Sequence, residues 1–150
     1  MPAPLEKWWG TPEPAPGPLE LELLSEFGPL TASAYRAGIR LLAGSDAGDP
    51  NVVPGFALHD EMQLFVEAGV PPLVAIRSAT LEPARALGVS ERVGSIERNK
   101  AADVVLLGAD PLADIRNTRR IVAVVLNGRL VTAAQLAVQI EPLRRPDRQL

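Results

Sequence analysis

The stretch IRLLAGSDAG, residues 39–48, decides the reading of this chain. Ile39–Ala43 is short and mostly apolar, which predicts a strand. It runs straight into a carboxylate, Asp46, set between Gly44 and Gly48, and then into the loop DPNVVPG at 49–55. A strand, a glycine-flanked carboxylate and a loop, in that order, place an acid at a strand's exit with little bulk around it.

Upstream, residues 1–18 hold six of the fifteen prolines and both tryptophans, Trp8 and Trp9. Proline fixes φ and lacks an amide donor, so this arm propagates neither a helix nor a central strand. Its indoles either cover an apolar patch or serve as a lid or interface anchor. LELELL at 19–24 alternates like a strand but uses residues that favour a helix, and both readings stay open. Thr31–Ala37 reads as a short helix ending at Gly38.

Downstream, Phe56–Ala68 is the clearest helix, with Leu58, Met62, Phe65 and Val66 on one stripe. His59, Gln63 and Glu67 fall on another face. Gly69 closes it, and a second helix starts near Pro72 and runs to about Ala79. A third covers Glu82–Leu87, capped by Thr80 and ended by Gly88. Leu58, Met62, Phe65, Val66, Leu73 and Ile76 are expected to pack together. After Ser90 the texture changes to short branched runs at Arg92–Ile96, Ala102–Leu107 and Ile121–Leu126. Asn127-Gly128 is a strong hairpin signal joining Ile121–Leu126 to Arg129–Thr132. Thr132–Ile140 reads as a capped helix, and the tail EPLRRPDRQL is polar.

Composition excludes several classes. At 150 residues, 47% hydrophobic and 22% charged, the chain is globular, and a net charge of −3 gives no footprint for nucleic acid. No run approaches eighteen apolar residues, so no membrane span is expected. The amino terminus MPAPLEKWWG lacks the pattern of a signal peptide. With no cysteine the chain has no disulfide or thiol nucleophile, and the compartment stays open, with the cytoplasm weakly favoured. The single histidine, His59, rules out a His-rich metal site built from this chain alone.

Four motifs together resemble the carboxyl-terminal end of the metal-dependent amidohydrolase superfamily, in its imidazolonepropionase-like and prolidase-like branch. LAGSDAG at 42–48 looks like the eighth barrel strand and its terminal aspartate. HDEMQLFVEAGVPPLVAIRSAT at 59–80 looks like the helix pair that follows. GSIERNKAADVVLL at 94–107 and DPLADIRN at 110–117, followed by a strand and Asn-Gly-Arg129, are similar to the closing segments. Ser45 stands where the family usually has threonine, Glu82 where asparagine is common and Asn99 where glycine is usual; these are positions that shape the backbone.

The resemblance implies an α/β fold: the last strand and helices of a (β/α)8 TIM-type barrel plus part of a small β-sandwich, incomplete as a stand-alone barrel. It divides the chain into a Pro-rich arm at 1–18, the end of the barrel at 19–90, and sandwich strands with a carboxyl-terminal helix at 91–150. It implies a hydrolase of amide, dipeptide or cyclic-amide carbon–nitrogen bonds acting on a small-molecule substrate. It also implies that Asp46 is both a metal ligand and the catalytic acid–base group, with zinc the expected divalent metal. A complete barrel takes about 250 residues, and a catalytic zinc takes three protein ligands. The family's histidines on strands one, five and six have no counterpart here, so the chain alone is expected to bind no metal and to be inactive. It reads as the end of a larger enzyme or, alternatively, as a non-catalytic module. Either way it would self-associate or pair with a complementing chain.

The other polar residues read more plainly. His59 fits a polar helix face or a loop contact better than a ligand. Ser45 has no base in view for nucleophilic work. Lys100 and Asp103 shape a turn, and Arg116, Arg119 and Arg120 form a solvated face rather than an anion site.

Overall fold

The structure, a computed structural model, describes residues 17–46, 52 and 55–140. Residues 1–16 of the Pro-rich arm, with Trp8 and Trp9, residues 47–51, 53 and 54 of the loop after Asp46, and the tail after 140 lie outside the described residues. Helix α1 spans Pro18–Arg36. The strand-like alternation of 19–24 therefore gives way to the helix propensity of Leu and Glu, with Pro18 at the first helical position. The short helix expected at Thr31–Ala37 is the end of this longer one.

Helices α2 (Ala57–Glu67), α3 (Pro72–Ser78) and α4 (Leu81–Ala86) follow closely, as the sequence predicts. The α2 helix ends in a Schellman motif: Gly69 N–H bonds Val66 O at 2.9 Å and Val70 N–H bonds Phe65 O at 3.0 Å. The motif needs a left-handed residue at Gly69, whose φ is +93°. It sends the chain back so that α3 packs on α2. Thr80 does not cap α4 through its side chain. Its hydroxyl instead donates to Ile76 O at 2.8 Å, closing the end of α3.

Strands β1 (Val104–Leu107), β2 (Ile121–Leu126) and β3 (Arg129–Thr132) form an antiparallel three-stranded sheet in the order β1-β2-β3. The Asn127-Gly128 turn has φ of +50° and +76°, the left-handed pair that a two-residue hairpin requires. Val124 pairs with both Val105 and Val131, and the β1 register slips between Leu106 and Leu107. Helix α5 (Ala133–Ile140) packs on β2 and β3. Its entry is a capping box: Gln135 N–H bonds the Thr132 hydroxyl at 3.2 Å, and Gln135 Oε1 accepts Thr132 N–H at 2.8 Å.

Two expected strands are absent. Residues 39–46 form neither helix nor ladder, because no neighbouring strand lies beside them among the described residues. Residues 92–96 form turns and bends: Arg92 and Val93 N–H bond Val89 O at 2.9 and 3.2 Å, and Ala101 N–H bonds Arg92 O at 2.8 Å. Gly94 lies so close to α4 that a β-carbon there would sit 2.7 Å from Ala84 Cβ. That approach commits the segment to the helix instead of to a sheet.

The core is small. Met62, Ala75 and Ile115 are buried, with Leu58, Phe65, Val66, Ile76 and Ala79 packed around them. Leu73, expected among them, is 53% exposed. Ile115 comes from a 3-10 helix, Ile115–Arg119, which docks on α2 and so ties the helices to the segment that enters the sheet. None of the described helices is long and apolar enough to cross a membrane.

Candidate functional site at the exit of residues 39–46

Asp46 is exposed and sits in the left-handed region, with φ +47°. A side chain rarely adopts that conformation, although aspartate tolerates it better than most. The backbone just before it is tied at two points. Ala43 N–H donates to Ser78 O at the end of α3, at 2.9 Å. Gly44 N–H donates to Glu61 Oε2 on α2, also at 2.9 Å. The carboxylate thus leaves a segment that is moored to two helices instead of to flanking strands.

His59 lies one turn into α2 and is half-buried. Its Nδ1 is 3.0 Å from Thr118 Oγ1 on the 3-10 helix. Next to it, Asp60 pairs with Arg119 of the same 3-10 helix. Burial of the ring holds the His59 pKa below the ordinary histidine value, the Arg119 charge adds to this, and Asp60 opposes it. His59 is therefore a joint between two elements, a contact more specific than the polar face expected of it.

The remaining singled-out residues do structural work. Lys100 Nζ donates to Ser95 Oγ at 2.6 Å and to Glu97 Oε1 at 3.1 Å, binding the turn together. Asn99, where the family usually has glycine, takes φ +67° within it. Asp103 Oδ1 accepts Asn127 N–H at 2.8 Å and steadies the hairpin. Arg116 grips Asp114 through two nitrogens, Nε at 2.9 Å and Nη2 at 2.8 Å, holding that carboxyl below its usual range. Glu82 draws Arg77 and Arg85 to one oxygen, at 2.9 and 3.0 Å, and its other oxygen is buried with no partner among the described residues.

Glu61 escaped the sequence reading. It is one of several acids on α2, and nothing in spacing or composition marks a carboxylate whose partner is a backbone amide seventeen residues away. The donors do not fit the divalent metal that the resemblance implies. Among the described residues no group of three or more histidines, cysteines or acids could hold a metal ion. Glu61 is engaged with Gly44, and His59 Nδ1 with Thr118.

Comparison with known proteins places these residues in context. Residues 29–131, which include Asp46, His59, Glu61 and Thr118, match the model of the amidohydrolase family. Over 89 residues the chain is 32% identical to adenine deaminase 4 of Rhizobium meliloti (strain 1021), covering 59% of this chain and 14% of that protein. Among solved structures, a Xaa-Pro dipeptidase with bound methionine is 32% identical with a TM-score of 0.64, over 71% of this chain and 25% of that one. Molinate hydrolase is 31% identical with a TM-score of 0.67, over 80% of this chain and 29% of that one. The chain thus spans less than a third of the length of each of these relatives. The match reaches from the second half of α1 to β3, and by it this chain belongs to the amidohydrolase family.

Proposed function

We propose that this chain supplies the closing segment of a hydrolase of carbon–nitrogen bonds in amides, dipeptides or cyclic amides, and that Asp46 is its acid–base carboxylate. The observation that carries this is Asp46 itself. It stands exposed, in a left-handed backbone, at the exit of a segment moored to α2 and α3, within the span that matches the family. The Xaa-Pro dipeptidase and molinate hydrolase likenesses support hydrolysis, and the adenine deaminase likeness supports attack at a carbon bearing nitrogen.

In this reading Asp46 takes a proton from the attacking water as its oxygen bonds to the substrate carbon. The same carboxyl then gives that proton to the departing nitrogen, so that one group serves both halves of the reaction. Among the described residues no donor set makes a metal site, and a divalent ion acting with Asp46, zinc included, takes further ligands. In this reading the 150-residue chain by itself performs no turnover.

A second reading has its own support. Val105, Val122 and Leu126 are each more than half exposed on one face of the sheet, which suits a non-catalytic module that pairs with another chain. The test is co-expression with the polypeptide encoded immediately upstream, followed by assay of dipeptides, N-acyl amino acids and cyclic amides with zinc or manganese. Hydrolysis that falls on the order of 10²-fold with Asp46→Asn supports the first reading. His59→Gln should change kcat little. Stable pairing without turnover favours the second, and turnover by the 150-residue chain alone overturns the composite site.

A further inference from the structure

We infer that Glu61 is a positioning residue for Asp46, holding the backbone of the segment before it in the one conformation that presents the carboxylate. The inference rests on the proposed role of Asp46 but is carried by different observations. The segment 39–46 has no ladder to define it among the described residues, so its course depends on few contacts. At its start Ile39 N–H bonds Ala34 O at 3.0 Å, and further on Ala43 N–H bonds Ser78 O, both backbone contacts that most sequences could make. The third is the Gly44 N–H to Glu61 Oε2 bond, which needs a side-chain oxygen acceptor at this place on α2. Two residues later the chain enters the left-handed region at Asp46. Such a conformation persists where the surroundings over-determine it. A tether on Gly44 does so by fixing the direction from which the chain arrives.

The geometry also explains why Glu61, and not another acid of α2, has this role. Asp60 is turned to Arg119 and Glu67 is joined to Gln63. Of the three, Glu61 is the one that accepts a hydrogen bond from residues 39–46, and it lies on the same helix as His59 and Asp60, which hold the 3-10 helix. The position of Asp46 is thus referred to α2, the helix that also anchors the core through Met62.

The test is amide hydrogen exchange on the full 150-residue chain, read residue by residue by NMR. Glu61→Ala is expected to speed exchange at Gly44 by about tenfold or more, the loss of a bond to a charged acceptor. Amides in β2 and at the centre of α2 should keep their rates. Glu61→Gln retains an oxygen acceptor and should restore most of the protection. Unchanged exchange at Gly44 in Glu61→Ala overturns the inference. So does a uniform acceleration across the chain, which would make Glu61 a general stabilising residue. Asp46→Asn should leave the pattern intact, since asparagine also tolerates the left-handed region. If the assembled enzyme tolerates Asp46→Asn while the Gly44 result holds, the proposed function fails and the tether stands; if Asp46→Asn abolishes turnover while Gly44 is indifferent to Glu61, the reverse is true.

Discussion

His59 Nδ1 donates its proton to Thr118 Oγ1, which is 3.0 Å away. The direction follows from the hydroxyl, whose own hydrogen is given to Ile115 O at 2.8 Å. Nδ1 therefore carries a proton, and in the neutral ring this selects the Nδ1–H tautomer. Burial and the neighbouring Arg119 both hold its pKa below the ordinary value of 6.5, with Asp60 opposing. In the unfolded chain the ring takes up a proton at higher pH than it does in the native one. The contribution to stability is accordingly complete above the unfolded value and is lost as pH falls through the lowered native one. Urea midpoints should decline below about pH 6.5, the unperturbed histidine value, and His59→Gln should flatten that part of the profile. Wild-type and variant profiles that run parallel from pH 8 to 5 would remove His59 from this account.

Gly94 and Gly88 offer a matched pair of substitutions. Both have positive φ, +94° and +70°, but a β-carbon at Gly94 would meet Ala84 Cβ at 2.7 Å and Thr80 O at 3.0 Å, whereas one at Gly88 meets nothing within 4 Å. Gly88→Ala should cost about 1–2 kcal/mol, the left-handed penalty alone. Gly94→Ala adds overpacking to the same penalty, for a total of about 2–5 kcal/mol. Denaturant unfolding of the two variants measures the difference. Equal losses would mean that the turn at 92–96 can lift off α4 without cost.

What the sequence made legible was local chemistry. Phe56–Ala68, the Asn127-Gly128 hairpin and the Thr132 cap each depend on residues within a few positions of one another, and each formed as read. The family likeness was legible for the same reason, in four contiguous motifs. Ile39–Ala43 and Arg92–Ile96 were not, because a strand is defined by its neighbour and no residue within the run supplies one. Thr80 reads as a cap of α4, but its hydroxyl donates to Ile76 O instead, and Pro83, at the third position of α4, has no N–H for it to accept. Asp46 was legible as a glycine-flanked carboxylate, while Glu61, which fixes the backbone before it, was not.

The helical core grades its own residues. Met62 is 5% exposed and shares the buried cluster with Ala75 and Ile115, so Met62→Ala should cost about 2–5 kcal/mol. Phe65 packs on that cluster from its half-buried rim. Its truncation should fall below the roughly 3–5 kcal/mol of a fully buried phenylalanine. Leu73→Ala, at a side chain 53% exposed, should stay within about 0.5 kcal/mol. The order Met62 or Phe65 well above Leu73 is the checkable result in a single denaturation series. A large loss at Leu73 would place that side chain in an interface between molecules.

The exposed apolar surface of the sheet predicts association. On the face of Ala123, which is buried, Leu106 and Leu130 are 45% and 56% exposed, and Val122 and Leu126 on β2, with Val105 on β1, are 53%, 55% and 51% exposed on the other. Val124 and Val131 extend that face across the register, and no acidic residue interrupts it within the three strands. Contiguous apolar surface of this kind is unusual on a monomer. The outer edges of β1 and β3 also carry backbone groups that no strand among the described residues pairs. The purified chain should therefore show concentration-dependent mass in sedimentation velocity. Val122→Lys puts a charge on that face, at the end of β2 where the register slips, while costing the fold at most about 1 kcal/mol of strand preference. It should shift the chain toward monomer at equal concentration. A wild-type chain that stays monomeric at all concentrations, with cooperative unfolding and no binding of apolar dyes, would show that this face is tolerated in water and needs no partner.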